Sequence, residues 1–371
     1  MKIGFDAKRF FHNATGLGNY SRDLIRIMSC FYPQNNYFLY NPKPKSIDRT
    51  FIDGKIIVEK LFSGNRLFAN LWRLFFIKNE LIQDKIDIFH GLSGEIPVGL
   101  KSTNIKTIVT IHDVIFLRYP KLYFFIDRKI YFWKFRYAAN NADVVIAISE
   151  QTKRDIIDFL KISPNKIIVI YQGCSAVFKK TATIEEMNLV QEKYQLPQKF
   201  ILNVGTIEER KNIFSVVKAI QNTDVKLIIV GKETKYYQQI STFLVENEMQ
   251  NQVIVLENIP LNELSWLYQL ATIFVYPSVF EGFGIPIIEA LYSKTPVISS
   301  GGSCFAEAGG KDSIYVAIND LATLKAEILT LWNDASKRKA QAEKGFEYVQ
   351  KFDDELLANQ WNMVYKNLID E

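Results

Sequence analysis

The stretch KFILNVGTIEERKNIFSVVKAI, residues 199–220, contains in short form the pattern from which the fold follows. It opens with KFILNVG, an apolar run that predicts a buried strand. Apolar residues then recur at i, i+3, i+4 and i+7, the spacing of one helix face: Ile213, Val216, Val217 and Ile220. A buried strand followed by an amphipathic helix predicts a strand–loop–helix unit of a parallel sheet.

The same alternation runs through most of the chain. In the first half the strand candidates are KIGFDA, KIIVEKL, IDIFHG, KTIVTIHD, DVVIAIS and KIIVIYQG. In the second half they are KFILNVG, VKLIIVG, QVIVLEN, IFVYP, TPVISS and SIYVA. Short buried strands that alternate with helical segments predict an α/β protein whose parallel sheets are covered by helices on both faces.

The length and one polar segment predict two domains. A chain of 371 residues exceeds what one hydrophobic core usually serves. The alternation breaks over residues 179–198 and then restarts, so we expect an N-terminal domain over residues 1–180 and a C-terminal domain over residues 181–351. Ligands of open parallel sheets bind beyond the carboxyl ends of the strands, and we expect a cleft between the two domains there.

Charge is distributed unevenly along the chain. Residues 1–180 contain 28 Lys and Arg against 15 Asp and Glu, whereas residues 181–371 contain 17 against 25. A basic half and an acidic half indicate that the two halves face different partners. Nucleic acid is a poor candidate, because the acidic half would repel it and no nucleic-acid-binding module is recognisable.

The cysteines and the apolar runs bear on the compartment. Cys30, Cys174 and Cys304 lie far apart and show neither C-x-x-C nor metal-ligand spacing, which favours a reducing compartment. The N-terminus lacks the pattern of a signal peptide, and no apolar run reaches the length of a membrane-spanning helix. We expect a cytoplasmic protein, either free or peripheral on the cytoplasmic face of the membrane.

The loop VGTIEERKN, residues 204–212, is a candidate phosphate site. Gly205 permits a tight turn, and Arg210 and Lys211 place two cations at the start of the following helix. A helix N-terminus beside basic side chains is a favourable place for phosphate. An ordinary turn before a solvated helix would show the same pattern, and the loop alone does not decide between them.

A second loop, within FEGFGIPIIEA at residues 280–290, has a carboxylate at each end. Pro286 suits the first helical position, which would place Glu289 in the first helical turn, where the helix dipole favours an anion. If phosphate binds the cations, Glu281 and Glu289 are free to accept hydrogen bonds from ribose and sugar hydroxyls. Taken alone, the stretch is better explained by a surface acid and a favourable N-terminal helix residue.

Several motifs together resemble the retaining glycosyltransferases of family 4. The E-x7-E signature of that family matches Glu281 and Glu289, and the likeness continues through VGTIEERKN and LYSKTPVISSGGSCFAEAGG. The first half matches at GLGNYSRDL, VTIHDVIFLRYP and ADVVIAISEQTKRDI, so the likeness covers nearly the whole chain. It is closest to the branch that contains bacterial polysaccharide and O-antigen mannosyltransferases.

The resemblance implies the GT-B fold, in which two Rossmann-like domains face each other across a cleft. It also implies that the C-terminal residues 352–371 cross back to the first domain. The donor nucleotide sugar would bind mainly to the second domain and the acceptor would enter over the first. The reaction would be the transfer of a hexose, with GDP-mannose favoured as donor, to a glycan or lipid-linked glycan with retention of the anomeric configuration.

The family's site residues can be placed by position. Glu281 would approach the transferred sugar, Glu289 would hold the ribose, and Lys211 with Arg210 would neutralise the leaving diphosphate. The other implied donor contacts are Gly16, Gly18, Gly205, Thr206, Gly282, Phe283, Gly284 and Ile285. Thr206 stands where many members have arginine, which places more of the charge on Lys211 and Arg210. The segment YQGCSAVF also departs from the P-x-G-V-D that relatives often show.

All three histidines lie in the basic half. His112 follows a predicted strand at the position where the family places a histidine beside the donor sugar, so the resemblance implies a hydrogen bond to the sugar or to developing charge. Asp113 would orient its ring or shape the loop. His90 ends another strand and would face the same cleft, and His12 is a possible acceptor contact. The alternative for each is a structural histidine.

No D-x-D triplet occurs, so the usual carboxylate pair for a diphosphate-bound metal is absent from the sequence. We therefore expect transfer without a metal or other cofactor. Two alternatives remain open: a nucleotide-sugar epimerase on the same architecture, and a non-catalytic sugar-binding partner in polysaccharide assembly.

Two segments of the basic half combine aromatic and cationic residues: RLFANLWRLFFIK at residues 66–78 and KLYFFIDRKIYFWKFRY at residues 121–137. Two helices packed on the core with solvated outer faces would explain them. The functional alternative is a patch that contacts the membrane surface, where basic side chains attract anionic lipid and aromatic rings lie at the headgroup level. Such contact would suit a lipid-linked acceptor.

Overall fold

The structure, a computed structural model, describes residues 1–13, 15–44, 54–65 and 68–370. Arg66 and Leu67, which open the first aromatic segment, lie outside the described residues, as does Glu371. The chain forms two compact units, one of Met1–Gly173 with Phe352–Glu371 and one of Cys174–Lys351. The boundary between the units therefore lies after Gly173, ahead of the polar segment at residues 179–198, whereas the sequence analysis places it after residue 180.

The first unit is built on a parallel sheet of seven described strands in the order β3-β2-β1-β4-β5-β6-β7. The strands are β1 Lys2–Asp6, β2 Asn36–Asn41, β3 Ile57–Leu61, β4 Ile88–Gly91, β5 Lys106–Ile111, β6 Val144–Ala147 and β7 Ile167–Val169. The helices are α1 Lys8–His12, α2 Gly16–Phe31, α3 Ala69–Leu71, α4 Ile77–Gln83, α5 Ile115–Arg118, α6 Phe125–Asn141 and α7 Glu150–Asp155. Wider π-helical turns, Trp72–Phe76 and Ile156–Leu160, continue α3 and α7.

The second unit repeats the design with six described parallel strands in the order β10-β9-β8-β11-β12-β13. The strands are β8 Ile201–Val204, β9 Leu227–Val230, β10 Val253–Leu256, β11 Ile273–Tyr276, β12 Val297–Ser300 and β13 Ile314–Val316. The helices are α8 Ile184–Lys193, α9 Ile213–Ala219, α10 Tyr237–Glu246, α11 Leu261–Leu270, α12 Ile285–Tyr292, α13 Phe305–Gly309, α14 Leu321–Asn333 and α15 Ala335–Val349. The predicted α/β class with parallel sheets is confirmed.

The last helix, α16 Asp354–Asp370, belongs to the first unit. Its apolar face packs against α2, and Trp361 and Tyr365 are fully buried in the same core as Phe5 on β1. The C-terminal segment thus completes the core of the N-terminal sheet.

Both sheets contain the point at which ligands of doubly wound proteins bind. In each sheet the first strand along the chain lies in the interior, the next two strands lie on one side of it, and the later strands lie on the other side. As a result β1 lies beside β4, and β8 lies beside β11. Loops that follow such a strand pair leave in opposite directions and open a crevice at the carboxyl edge. The site residues should therefore lie after β1, β4, β8 and β11.

Candidate functional site

In the second unit, the loops that follow β8 and β11 are held together by hydrogen bonds. The Val279 amide donates to the Arg210 carbonyl at 2.8 Å, and the Arg210 guanidinium donates to the Phe280 carbonyl at 2.7 Å. Asn212 donates to the Pro277 carbonyl at 3.2 Å. The neighbouring positions of the two strands explain why loops about seventy residues apart in sequence meet.

These bonds bring two cations onto one carboxylate. Lys211 Nζ and an Arg210 guanidinium nitrogen each lie 2.7 Å from Glu281 Oε1, and Lys211 also donates to the Tyr276 hydroxyl at 3.0 Å. The Glu281 and Lys211 side chains are 15% and 16% exposed, so the cluster is largely desolvated yet reachable from solvent. Arg210 has a second ion pair with Glu208, whose side chain is 40% exposed.

The electrostatics fix the charge states of this cluster. Burial alone would raise the pKa of Glu281, but Lys211 and then Arg210 outweigh it and lower the pKa below its ordinary value. Burial would lower the pKa of Lys211, but Tyr276 and Glu281 hold that pKa above its ordinary value. Near neutral pH the site therefore presents an ionised acid and two full cations. An incoming phosphate could share the cations, while the acid could accept hydroxyl hydrogen bonds.

Two glycines shape the backbone around the cluster. Gly205 has φ +148° and Gly284 has φ +121°, conformations that side chains disfavour. A Cβ on Gly205 would lie 3.7 Å from Lys211 Cε, so its absence leaves space beside the lysine. Thr206, the next residue, is exposed at the same strand end.

The loop that carries Glu281 is anchored from the segment after β12. The Cys304 thiol donates to the Phe283 carbonyl at 2.7 Å and lies 3.2 Å from the Glu281 carbonyl. Phe283 is buried, which fixes the turn on which Gly282 and Gly284 lie. Ile285 is then the first residue of α12, with Gly284 before it as the capping residue.

Glu289 lies one residue deeper in its helix than the sequence predicts. Because α12 begins at Ile285 rather than Pro286, Glu289 is beyond the first turn, and the expected stabilisation by the helix dipole is wrong. Instead it accepts a 2.9 Å hydrogen bond from the buried Tyr268 hydroxyl. Burial raises the pKa of Glu289 to about 7, against the opposing effect of the Tyr268 bond. This carboxyl group therefore titrates in the physiological range.

In the first unit, His112 lies just beyond β5 with both ring nitrogens bonded. Nε2 donates to the Leu92 carbonyl at 2.9 Å, and Nδ1 accepts from the Gln172 amide at 2.9 Å. Burial lowers the pKa of His112 to about 4, although the bond to Leu92 opposes this, so the ring is neutral. A hydrogen bond to a sugar would have to replace one of these two.

The first turn of α2 contains Gly16 and Gly18 and leads to Tyr20, which contacts this histidine. The Tyr20 ring meets the His112 ring edge-on, with centroids 4.6 Å apart. Gly18 is required by close packing, since a Cβ there would lie 1.8 Å from the Asn13 carbonyl oxygen. Gly16 has open space where a Cβ would point. The structure thus brings His112 and the Gly16–Gly18 turn to one region of the first unit.

The remaining predicted residues have structural surroundings. His90 is 0% exposed, with Nδ1 2.9 Å from the Tyr365 hydroxyl and Nε2 2.8 Å from the Thr110 hydroxyl, so it lies in the core and the expectation that it faces a ligand is wrong. Asp113 accepts a hydrogen bond from the Ile115 amide and so shapes the loop. His12 Nε2 lies 3.0 Å from Asn41 Oδ1.

The sequence analysis did not identify four residues that contact the predicted site residues: Tyr276, Tyr268, Gln172 and Cys304. Tyr276 could have been found, because it ends β11 directly before the Glu281 loop. The other three reach the site from positions distant in sequence, and no local sequence pattern indicates them.

Among the described residues, no group of three or more His, Cys, Asp or Glu side chains could hold a metal ion. None of the described helices is long and apolar enough to cross a membrane.

Known glycosyltransferases resemble this chain over most of its length. The model of the glycosyl transferases group 1 matches residues 186–348, and that of glycosyltransferase family 4 matches residues 37–176. Together the two matches span most of the chain. O-antigen chain mannosyltransferase B of Escherichia coli is 27% identical over 99% of this chain and 100% of its own length.

Solved structures show the same fold over the full length. Sucrose-phosphate synthase from Thermosynechococcus elongatus has a TM-score of 0.81 at 20% identity, covering 100% of this chain and 99% of its own. Anabaena HepE, solved in complex with UDP-glucose, has a TM-score of 0.76 at 16% identity and covers 99% of this chain and 100% of its own. With both family domains and a GT-B architecture in place, the chain belongs to the family 4 glycosyltransferases and is a glycosyltransferase enzyme.

Proposed function

We propose that the enzyme moves a hexose from a nucleoside-diphosphate sugar to a glycan or lipid-linked glycan, with retention of the anomeric configuration, in the synthesis of a cell-surface polysaccharide. The observation that carries the proposal is the cluster of Lys211, Arg210 and Glu281 at the carboxyl edge of the second sheet. The two cations could bind a diphosphate, and the acid that they contact could accept hydrogen bonds from sugar hydroxyls.

The proposed role of the cations follows from their partners. Among the described residues, Lys211 has one ion-pair partner, Glu281, whereas Arg210 divides its charge between Glu281 and the more exposed Glu208. A bound diphosphate would draw Lys211 toward its oxygens and leave Glu281 free to accept hydrogen bonds from the sugar. As the bond between the anomeric carbon and the phosphate oxygen breaks, negative charge grows on the leaving phosphate beside Lys211.

The transfer itself needs a nucleophile and a proton acceptor. The acceptor hydroxyl oxygen forms the new bond to the anomeric carbon, and its proton passes to the departing phosphate. His112 is neutral and lies between Leu92 and Gln172, so we assign it to positioning or polarising the sugar rather than to proton transfer. Glu289 would accept hydrogen bonds from the ribose hydroxyls.

GDP-mannose is the donor that we favour. The full-length relative from Escherichia coli is named as an O-antigen mannosyltransferase, which supports mannose as the sugar. HepE, which has the same fold, was solved in complex with UDP-glucose, so UDP is the competing nucleotide. Thermal denaturation of the chain with GDP, UDP or ADP tests it: GDP should raise the midpoint most, and a larger rise with UDP would overturn the choice.

We further propose that transfer requires no metal ion, because Lys211 and Arg210 supply the charge that a D-x-D-bound metal would otherwise supply. Turnover of GDP-mannose with an oligosaccharide acceptor should survive EDTA, and NMR of the product should show an α-linkage from the α-configured donor. Release of an isomerised sugar nucleotide in the absence of acceptor would instead identify an epimerase. Donor binding with neither product would indicate a sugar-binding partner.

A further inference from the structure

The helix α6 has an apolar surface that faces solvent. Phe124, which precedes the helix, is 83% exposed, and Ile126 and Trp133 are 71% and 58% exposed. The only residues of α6 that are fully buried are Ala138 and Ala139 near its end. The second aromatic segment of the sequence is therefore only partly explained by packing on the core.

The exposed residues form a continuous stripe. Ile126, Ile130 and Trp133 are spaced four and three residues apart, so they lie on one face of the helix. The opposite side packs inward, where the Phe135 ring contacts Phe116 at 5.3 Å between centroids. One face of α6 thus belongs to the core, and the other presents large apolar side chains to water.

Cations border this stripe. Lys129 and Arg136 are exposed on the same face, and Lys129 Nζ lies 5.4 Å from the centroid of the Phe125 ring. Lys121 is exposed just ahead of the helix, and Asp127 is the acid among the exposed residues of this segment. We call Lys121, Phe124, Phe125, Ile126, Lys129, Ile130, Trp133 and Arg136 the aromatic–basic face.

The first aromatic segment adjoins this region. In its π-helical turn, Phe75 and Phe76 are 46% and 64% exposed. Arg73 of that turn pairs with Glu95, and Glu95 also accepts Lys134 of α6 at 3.1 Å. These ion pairs hold both segments to the loop that carries Glu95.

We propose that the aromatic–basic face binds the surface of an anionic lipid bilayer. Apolar rings and aliphatic side chains would enter the headgroup region, while lysine and arginine reach the lipid phosphates. The charge pattern selects this occupant over a second copy of the chain, because two such faces brought together would oppose like charges. An acidic protein partner is the remaining competitor, and it would be favoured if the wild type ignored anionic vesicles or if I126S/W133S bound them as wild type does.

The aromatic–basic face lies at the edge of the sheet where the site residues of the first unit are found. The α6 helix ends just before β6 begins, so its start, with Phe124–Ile126, lies toward the carboxyl edge of the sheet, where His112 follows β5. Membrane contact there would keep the acceptor region near the lipid headgroups. This link to a lipid-linked acceptor rests on the proposed function, whereas bilayer binding itself does not.

Sedimentation of the full chain with vesicles tests the proposal. Vesicles of phosphatidylcholine mixed with phosphatidylglycerol should bind the protein, and vesicles of phosphatidylcholine alone should bind it much more weakly. Each basic residue near an anionic surface changes binding about fivefold, so K129Q/R136Q should weaken the partition about thirtyfold. I126S/W133S should weaken it at least about fivefold, because part of two large apolar side chains stays in water.

Matched controls come from the second unit. Val245→Ser changes an apolar side chain of comparable exposure, and K339Q/K344Q removes two exposed lysines. Neither control should alter vesicle binding, and all variants should transfer sugar normally to a water-soluble acceptor. The proposal is overturned if wild type ignores anionic vesicles, or if I126S/W133S binds them as wild type does. A concentration-dependent dimer that only I126S/W133S abolishes would identify a second copy as the occupant.

Discussion

Replacing Lys211 by methionine removes the cation that we assign to the leaving diphosphate while keeping the length and apolar stem of the side chain. The lysine lies 2.7 Å from Glu281 Oε1 and 3.0 Å from the Tyr276 hydroxyl, and its side chain is 16% exposed. A hydrogen bond to a charged group contributes about 1.5–3 kcal/mol. The dissociation constant for GDP should therefore rise about ten- to a hundredfold.

The same substitution has a calculable effect on stability. Removing one partner of a fully buried ion pair costs about 3–5 kcal/mol, because the other charge is left uncompensated. Glu281 keeps Arg210 at 2.7 Å, so the free energy of unfolding of Lys211→Met should fall by less, about 1–2 kcal/mol. The variant should remain folded at the temperature of a binding experiment.

Isothermal titration with GDP measures the first effect and denaturant unfolding the second. Lys218→Met is the matched control: Lys218 is exposed on α9 and lies over the Phe214 ring, away from Glu281. It should bind GDP as wild type does. If Lys211→Met also binds GDP with unchanged affinity while folded, the assignment of the phosphate to this cluster is wrong.

Three further variants test other parts of the account. Because burial raises the pKa of Glu289 to about 7, GDP should bind more tightly as pH rises through 7 and the carboxyl group ionises; titrations of Glu289→Gln, which cannot ionise, should keep only the pH dependence of the nucleotide. His90→Leu should lower the free energy of unfolding by about 1–3 kcal/mol with the donor KM unchanged, since it removes the partner of the buried Tyr365 hydroxyl and leaves the Thr110 hydroxyl bonded to Tyr20 alone. Burial lowers the pKa of His90 to about 3, so wild type should lose stability as pH falls below 6.5, and denaturant unfolding should show less of this loss in His90→Leu. Gly18→Ala should cost several-fold in turnover or prevent folding, because a Cβ would meet the Asn13 carbonyl oxygen at 1.8 Å; normal activity and melting temperature would contradict that packing.

The sheets were the most predictable part of the molecule. All twelve predicted strands are present, because each is a run of Ile, Val and other apolar residues that parallel sheets bury on both faces. β2 was missed: NYFLYN is rich in aromatic residues and bounded by asparagines, and its place is set by pairing with β1 and β3 on either side. Such pairing is tertiary information that a local pattern does not contain.

The site was predictable where topology dictates it. Lys211 and Glu281 meet because β8 and β11 are neighbours, a relation that the strand order of a doubly wound sheet supplies. The pattern did not predict that the two residues would pair with each other. Nor could it place Gln172 on His112, since that contact joins residues sixty positions apart on different elements.

The histidines show the limit of reading chemistry from residue type. His90 lies within β4 and His112 directly follows the neighbouring β5, yet His90 bonds two hydroxyl groups inside the core, whereas His112 lies at the carboxyl edge against Tyr20. The difference comes from α16, which covers His90 with Trp361 and Tyr365. A helix more than two hundred residues away in sequence thus decides which histidine can approach a substrate.

A crystal structure of the chain soaked with GDP-mannose tests the central claim most directly. The account predicts diphosphate oxygens within hydrogen-bond distance of Lys211 Nζ and the Arg210 guanidinium, the sugar at Glu281, and the ribose hydroxyls at Glu289. A nucleotide bound elsewhere, with Lys211 still paired to Glu281 and the Glu289 carboxylate turned to solvent, would contradict it.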